Sequence, residues 1–227
     1  QSEGLDVMTS FNKDFGGGWS TQLRGNFTYA TSKMLKYDEP TYMEDEWYLS
    51  RVGTSIAQRY GYIAERLFVD DYEAINSPIQ FGGTPGVANG GSYGGGDIKY
   101  RDVNGDGVVD SRDLVPIGFP TSPEIIYGFG GTVAYKSFDL SVFFQGSARS
   151  SFFINSENIA PFVFNNGSQN ALLKVIADSY WSEENRNLYA TWPRLSQNFV
   201  NNNSRETIAG ETSTWWMRNG SFLRVKN

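Results

Sequence analysis

The stretch WSTQLRGNFTYA, residues 19–30, decides the fold because it holds the cleanest alternation in the chain. Its odd positions carry Trp, Thr, Leu, Gly, Phe and Tyr, whereas its even positions carry Ser, Gln, Arg, Asn, Thr and Ala. A period of two is the period of a β-strand, whose successive side chains point to opposite faces. The sequence therefore predicts a strand over about residues 18–30, with one mainly apolar face and one polar face.

The same period recurs on both sides of this stretch. It predicts further strands over about residues 4–15, 125–135, 138–147 and 215–227. A run of three glycines, 16–18, separates the first two strands, and Lys136-Ser137 separates the third from the fourth. Such short, turn-forming separations are typical of β-hairpins. We therefore expect two hairpins and a fifth strand.

The remaining sequence forms two connections, over about residues 31–124 and 148–213, that are far longer than usual inside a compact domain. The second contains a predicted helix over 169–181. Short turns at one end of the strands and long connections at the other are typical of outer-membrane barrels. The pattern predicts an all-β fold: about five strands of a large antiparallel transmembrane β-barrel, with long extracellular loops and one short loop helix. A soluble β-sandwich is the alternative, since its strands also have one apolar face.

The alternation also assigns the two faces of the predicted barrel wall. Residues of the apolar face are expected to contact lipid; they include Leu23, Phe27, Val133 and Leu140. Residues of the opposite face are expected to line a wet interior; they include Arg24, Asn26 and Gln145.

Composition excludes several classes of function. The chain of 227 residues contains no His and no Cys, which rules out a Ser-His-Asp triad, a thiolate zinc site and a cysteine nucleophile. The net charge of -6 argues against nucleic-acid binding, which needs a concentrated basic surface. Paired carboxylates such as Glu183 and Glu184 are typical of a solvated surface. We expect the chain not to be an enzyme.

One motif points to a metal. Residues 102–113 read DVNGDGVVDSRD and place oxygen-bearing side chains at loop positions 1, 3, 5, 9 and 12, with glycine at position 6. Alternate residues of such a loop can direct their oxygens at one hard cation, and position 7 supplies a main-chain carbonyl. The predicted ligands of a structural Ca²⁺, with Mg²⁺ as second choice, are Asp102, Asn104, Asp106, Val108, Asp110 and Asp113. The alternative is a solvated loop of Asx turns without metal.

Aromatic residues of the connections allow two interpretations. Trp and Tyr side chains can stack on sugar rings, but packing of long loops on themselves is their commoner use. Packing is therefore what we expect for Trp47, Tyr48, Tyr60, Tyr62, Trp181 and Trp192.

Several strings together resemble the C-terminal barrel region of the SusC/RagA class of TonB-dependent outer-membrane transporters. The most specific are GDIKYRDVNGDG at 96–107 and WWMRNGSFLRVKN at 215–227. Shorter strings support them: RYGY at 59–62, VPIG at 115–118, YGFG at 127–130 and FDLSVFFQG at 138–146. The match extends through most of the chain, so the resemblance implies that residues 1–227 are a fragment of a receptor barrel domain.

The resemblance also implies a location and a function. Such receptors lie in the Gram-negative outer membrane, in contact with the lipid bilayer, and import oligosaccharides and other glycans or, less often, peptides. The implied partners are a SusD-like surface lipoprotein and TonB, the latter through an N-terminal region absent from this chain. A secreted, calcium-stabilised β-sandwich that binds carbohydrate or a protein partner is the alternative function.

Overall fold

The computed structural model describes residues 1–86, 92–162, 164–165, 168–196, 201–204 and 212–226. Within these ranges the chain is mainly β-structure. The strands are β1 Ser2–Gly16, β2 Trp19–Ser32, β3 Arg59–Tyr62, β4 Ala64–Leu67, β5 Ile79–Gln80, β6 Ile98–Tyr100, β7 Val108–Val109, β8 Val115–Ile117, β9 Ile125–Tyr135, β10 Phe138–Ala148, β11 Ser151–Phe153, β12 Phe164–Asn165, β13 Ser168–Gln169, β14 Thr212–Ser213, β15 Met217–Asn219 and β16 Phe222–Val225.

Helices in the described ranges are short. The α-helices are α1 Asp71–Ile75, α2 Ser156–Ile159, α3 Lys174–Ala177 and α4 Asn201–Ser204, and two 3-10 helices cover Glu44–Leu49 and Ser111–Asp113. None of the described helices is long and apolar enough to cross a membrane.

The predicted helix over 169–181 is reduced to the four residues of α3. Only part of its presumed apolar face packs in a core: Ile176 is buried, but Leu173 and Val175 are exposed. The backbone at Leu173 is extended, so the helix begins only after it. A four-residue helix is far too short to be stable alone, and the packing of Ile176 in the surrounding core accounts for it.

Five strands form one large sheet in the order β1-β2-β9-β10-β16, and every neighbouring pair in it is antiparallel. The β1-β2 turn has positive φ at all three of its glycines, and the β9-β10 turn has positive φ at Lys136. Two long connections, between β2 and β9 and between β10 and β16, contain the further short strands. The predicted all-β class, with about five strands of antiparallel structure, is confirmed.

The predicted last strand, over 215–227, is two strands rather than one. β15 pairs with β11, whereas β16 pairs with β10 and completes the large sheet. The break lies between them, where the Asn219 side chain accepts a hydrogen bond from the Ser221 N–H at 2.9 Å. This Asx turn redirects the chain from one sheet to the other.

Register gives the sheet two unlike faces. Directly paired residues share a face, so one row crosses all five strands through Val7, Phe27, Tyr127, Gly146 and Leu223. Apart from the glycine, every member of this row is apolar or aromatic. The predicted lipid-facing residues all lie on this face, and their side chains are 40–69% exposed: Leu23, Phe27, Val133 and Leu140.

The adjacent row lies on the opposite face. It runs through Met8, Asn26, Gly128, Gln145 and Arg224, and the last two are joined by a hydrogen bond of 3.1 Å. Further polar residues on this face include Arg24, Gln22 and Asp139. The predicted division into an apolar and a mainly polar face therefore matches the register.

The buried core lies outside the large sheet, in the connections. Its main cluster combines the β3, β4 and β6 segments with three tryptophans and α3. The fully buried members include Tyr62, Leu67, Ile98, Tyr100 and Trp216. The predicted packing role holds for Tyr62, Trp181 and Trp192, which are all buried, while Trp47 is 72% exposed.

Candidate functional site

The acidic loop 102–113 lies between β6 and β8. Inside it, β7 pairs in parallel with β5, and the 3-10 helix Ser111–Asp113 closes the loop. The loop is thereby fastened at its middle to another part of the same connection. Its carboxylates are held on a defined backbone rather than on a free turn.

Asp102 folds the first half of the loop. Its two carboxylate oxygens accept hydrogen bonds from the Gly105 N–H at 2.7 Å and the Gly107 N–H at 2.8 Å. Both glycines have positive φ, of 75° and 86°, which other residues adopt only at a cost. The glycine at loop position 6 therefore serves the sharp turn for which the sequence pattern predicted it.

Asp113 holds the second half of the loop in place through buried hydrogen bonds. Its side chain is fully buried and accepts backbone hydrogen bonds from Val103 at 2.6 Å and from Asp110 at 2.8 Å. Asp110 in turn caps the 3-10 helix by accepting from the Arg112 N–H at 2.8 Å. Burial raises the pKa of the Asp113 carboxyl, although these backbone donors oppose the rise.

Arg112 supplies a positive charge within the loop. It forms ion pairs with Asp106 at 2.5 Å and with Asp110 at 3.2 Å. Asn104 also bonds to Asp106, through its side-chain amide at 3.1 Å. Two of the predicted ligands are therefore partly neutralised by the protein itself.

The Val108 carbonyl is directed away from the strand pair. Ile79 donates to the Gly107 carbonyl at 3.0 Å and Phe81 donates to the Val109 carbonyl at 2.9 Å. Because successive carbonyls of a strand point in opposite directions, the carbonyl between those two points away from β5. The Val108 carbonyl is therefore not used in the pairing of β5 with β7.

The structure thus brings all six predicted ligands into one loop without gathering their carboxylates around a single point. In the described part of the chain, no group of three or more acidic, His or Cys side chains is close enough to hold a metal ion. The metal site therefore stays a prediction.

A buried polar network beneath the loop was not predicted from the sequence. Asp97 is fully buried and accepts from Arg194 and from the Asn203 amide, each at 2.8 Å. Burial raises the pKa of Asp97, and Arg194 opposes this effect. Next to it, Gln80 donates to the Asn202 side chain at 2.7 Å and to the Ile98 carbonyl at 3.0 Å.

The partners in this network lie far apart in sequence: Arg194 follows Asp97 by 97 positions. The one available signal is the position of Asp97 in the string GDIKYRD, just before β6. The network joins the base of the acidic loop to α4, so it holds the long connections together.

Comparison with curated proteins found two TonB-dependent receptors of Formosa agariphila. TonB-dependent receptor P3 is 24% identical over 226 residues, covering 95% of this chain and 19% of the receptor. TonB-dependent receptor P26 is 46% identical over 52 residues, covering 23% of this chain and 5% of the receptor. No family model matches the sequence.

Solved structures give the same result for the fold. The RagAB peptide importer in its "closed-closed" state superposes with a TM-score of 0.55 at 16% identity, over 99% of this chain and 22% of that chain. The structure of the RagAB peptide transporter gives a TM-score of 0.52 at 14% identity, over 98% of this chain and 22% of that chain.

In sequence and in fold, the chain is similar to SusC/RagA-type TonB-dependent receptors. The resemblance stated from the sequence is confirmed, and with it the assignment of the sheet to a large antiparallel barrel. The chain spans about a fifth of the length of the first curated receptor that it matches. TonB-dependent receptors are proteins of the outer membrane, which is therefore the location of this chain. These relatives are receptors and transporters, in agreement with the expectation that the chain is not an enzyme.

Proposed function

We propose that the chain supplies five wall strands and the surface connections of a TonB-dependent receptor that imports nutrients through the outer membrane. The observation that carries the proposal is the register of the large sheet, which places an apolar face and a mainly polar face back to back. A barrel wall needs this arrangement because lipid lies on one side and a wet interior on the other.

Exposure of the apolar face favours the barrel over the secreted β-sandwich. A sandwich buries its apolar face under a second sheet. Here the large side chains of that face are exposed, with Leu5 at 57%, Phe11 at 52% and Leu140 at 69%. A face with this much exposed apolar area is unsuited to water and suited to lipid.

We propose glycans as the cargo, in the form of oligosaccharides, with peptides as the second class. Support for glycans comes from the sequence resemblance to the SusC class, and support for peptides comes from the similarity in fold to RagAB, a peptide transporter. The proposed partners are a SusD-like surface lipoprotein over the connections and TonB, which acts through a part of the receptor outside this chain.

Uptake by cells tests this proposal. A strain that lacks the intact receptor should fail to accumulate fluorescent oligosaccharides, and the native gene should restore accumulation. Removal of TonB should abolish uptake even when the receptor is present. Accumulation of both oligosaccharides and peptides that is independent of the receptor and of TonB would contradict the proposed function.

We further propose that the loop 102–113 binds Ca²⁺, with Mg²⁺ as second choice. The donor set is made of hard oxygens, and the residues that would hold the ion are Asp102, Asn104, Asp106, Val108, Asp110 and Asp113. Support comes from the turn at Gly107 and the direction of the Val108 carbonyl. A bound cation has to displace Arg112 from Asp106 and Asp110, so that arginine competes with the metal.

Hydrogen exchange of the intact receptor tests the metal. Calcium should slow exchange over residues 97–118 in the native protein, and EGTA should reverse the effect. The double substitution Asp102→Ala and Asp106→Ala should remove the response, whereas Asp178→Ala, which lies outside the loop, should leave it unchanged. Arg112→Gln should strengthen calcium binding because the competing charge is lost. Identical exchange with and without calcium in the native receptor would refute the metal site.

A further inference from the structure

A cavity of about 310 Å³ lies in the connections, and no residue of the acidic loop lines it. Its polar and aromatic lining comprises Tyr189, Thr191, Thr214, Trp215 and Arg218. None of the described residues that line it is acidic. The chain as a whole is acidic, so a cavity with a cation and no carboxylate stands apart from its surroundings.

Arg218 is only partly satisfied by the protein. Its Nη1 donates to the carbonyls of Trp215 at 2.7 Å and of Met217 at 2.8 Å. The Nε–Nη2 edge has no protein partner in the described part of the chain, and no carboxylate there lies within ion-pair distance. That edge is the fork that takes a carboxylate through two parallel hydrogen bonds.

Six other arginines of the connections are paired with carboxylates, whereas Arg51 and Arg59 lie over aromatic rings. The paired arginines are Arg66, Arg101, Arg112, Arg149, Arg186 and Arg194. A half-buried guanidinium without a counter-charge is unfavourable, and an anionic ligand removes that cost. The two carbonyl bonds also fix the orientation of the group before any ligand arrives.

A neighbouring hydroxyl offers a further donor. The Thr214 hydroxyl accepts from the Ala64 N–H at 2.9 Å, which leaves its own hydrogen free to donate. The cavity therefore presents a hydroxyl donor beside the guanidinium edge and its positive charge, the complement of a carboxylate with an adjacent oxygen.

Tyr189 adds a flat surface at the rim of the cavity. Its side chain is 73% exposed, although it is large and aromatic. An exposed ring beside polar donors is suited to stacking against the apolar face of a sugar. Together, the charge, the donors and the ring favour a sugar that carries a carboxylate.

We propose that this cavity is a binding subsite for a uronic acid unit of an oligosaccharide, with Arg218 as the carboxylate-binding residue and Tyr189 as the stacking surface. The inference rests on the proposed import function and names a class of cargo for it. Binding to the purified receptor requires neither TonB nor transport. Its failure is therefore distinguishable from a failure of the import function, which is measured in cells.

Binding to the intact receptor in detergent tests the subsite. The probes are glucuronate, galacturonate and mannuronate, each compared with its neutral counterpart, glucose, galactose or mannose, by saturation-transfer NMR. At least one acid should bind in preference to its neutral sugar. Arg218→Gln should weaken that binding by at least about tenfold, because a charge-assisted hydrogen-bond pair is lost. Arg101→Gln, which makes the same chemical change at an arginine outside the cavity, should have no effect.

Tyr189→Ala separates binding from folding. It should weaken binding of the acid without any change in stability. If no acid binds in preference to its neutral sugar, or if Arg218→Gln binds as well as the native receptor, the subsite is refuted. Preferential binding of acetyl-dialanine over the three acids would overturn the sugar assignment in favour of a peptide carboxylate.

Discussion

The large sheet and the long connections bury their apolar residues in opposite ways. In the sheet, side chains such as Leu23, Phe138 and Leu140 are 49–80% exposed. In the connections, Tyr62, Tyr100 and Trp216 are at most 2% exposed and pack in one cluster. One chain thus contains a region without a core of its own and a region with an ordinary water-excluding core.

This difference reflects the surroundings that each region is built for. A sheet whose apolar face remains exposed gains its stability from contact with lipid and with neighbouring barrel strands. The connections gain theirs from buried aromatic area and from a hydrogen-bonded polar network, as a soluble domain does. Damage to one region should therefore leave the other intact.

The largest expected effect lies in the connection core. Trp216 is 2% exposed, and its ring centroid lies 4.9 Å from that of Trp192. Its Nε1 donates a hydrogen bond to the Asn203 carbonyl at 2.7 Å. Trp216→Ala should lower the free energy of local unfolding by about 3–5 kcal/mol. Hydrogen exchange of the intact receptor should show faster exchange in β3, β4 and β6 and unchanged exchange in β2 and β9.

The matched control is Trp47→Ala. Trp47 is 72% exposed, so its loss should change stability by less than about 0.5 kcal/mol. Equal exchange in the core strands of both variants would contradict the existence of a separate core, and faster exchange in the sheet would contradict the independence of the two regions.

The next effect lies on the apolar face of the sheet. Leu23→Arg places a charge on the surface proposed to contact lipid and should cost about 2–4 kcal/mol. Gln22→Arg makes the same charge change at the adjacent position on the opposite face, and should cost much less. Urea titration of the receptor folded into liposomes measures both. Similar losses of folding free energy at the two positions would contradict the claim that one face contacts lipid and the other contacts water.

A smaller effect should appear on acidification, and only in the connections. Burial disfavours the charge on Glu73, but hydrogen bonds from Arg66, the Val69 N–H and Lys99 outweigh burial and lower its pKa from 4.5 to about 2. Because the folded pKa lies below the unfolded one, the ionised side chain stabilises the fold above about pH 4.5. This stability is lost as the pH falls toward 2.

The loss should be on the order of 2 kcal/mol. Glu73→Gln should remove this part of the pH dependence, as seen in hydrogen exchange of β4 and α1 between pH 5 and 3. Glu65→Gln, at the more exposed pair with Arg101, is the control and should retain it. A native receptor whose connections respond to acid in the same way as Glu73→Gln would contradict the role given to Glu73.

The sequence could predict the sheet because a period of two is a local property. The alternation in residues 19–30 and 125–147 determines which residues share a face, and the two short turns determine which strands pair. Where a distant partner decides the structure, the local pattern was insufficient. Nothing in the sequence around Asp97 indicated that Arg194 is its partner. The alternation over 215–227 indicated a single strand, but the turn at Asn219 divides that segment into two.

The acidic loop is intermediate between these cases. Its turn at Gly107 follows from spacing alone, because glycine is needed where φ is positive. The ion pairs of Arg112 with Asp106 and Asp110 were not predicted, because an arginine at loop position 11 has no fixed place in the ligand pattern. The backbone turn of the loop could thus be predicted from the sequence, whereas the ion pairs that Arg112 forms in it could be seen only in the structure.

Spin labels along β2 test the central claim, that the two faces of the sheet lie in lipid and in water, most directly. The chain contains no cysteine, so single cysteines can be introduced and labelled at successive positions 22–27 of the intact receptor in liposomes, in a cysteine-free background. We predict that accessibility to oxygen, which dissolves in lipid, is high at 23, 25 and 27, and that accessibility to a water-soluble nickel chelate is high at 22, 24 and 26. Accessibility without a period of two, or high nickel accessibility at 23 and 27, would contradict the account.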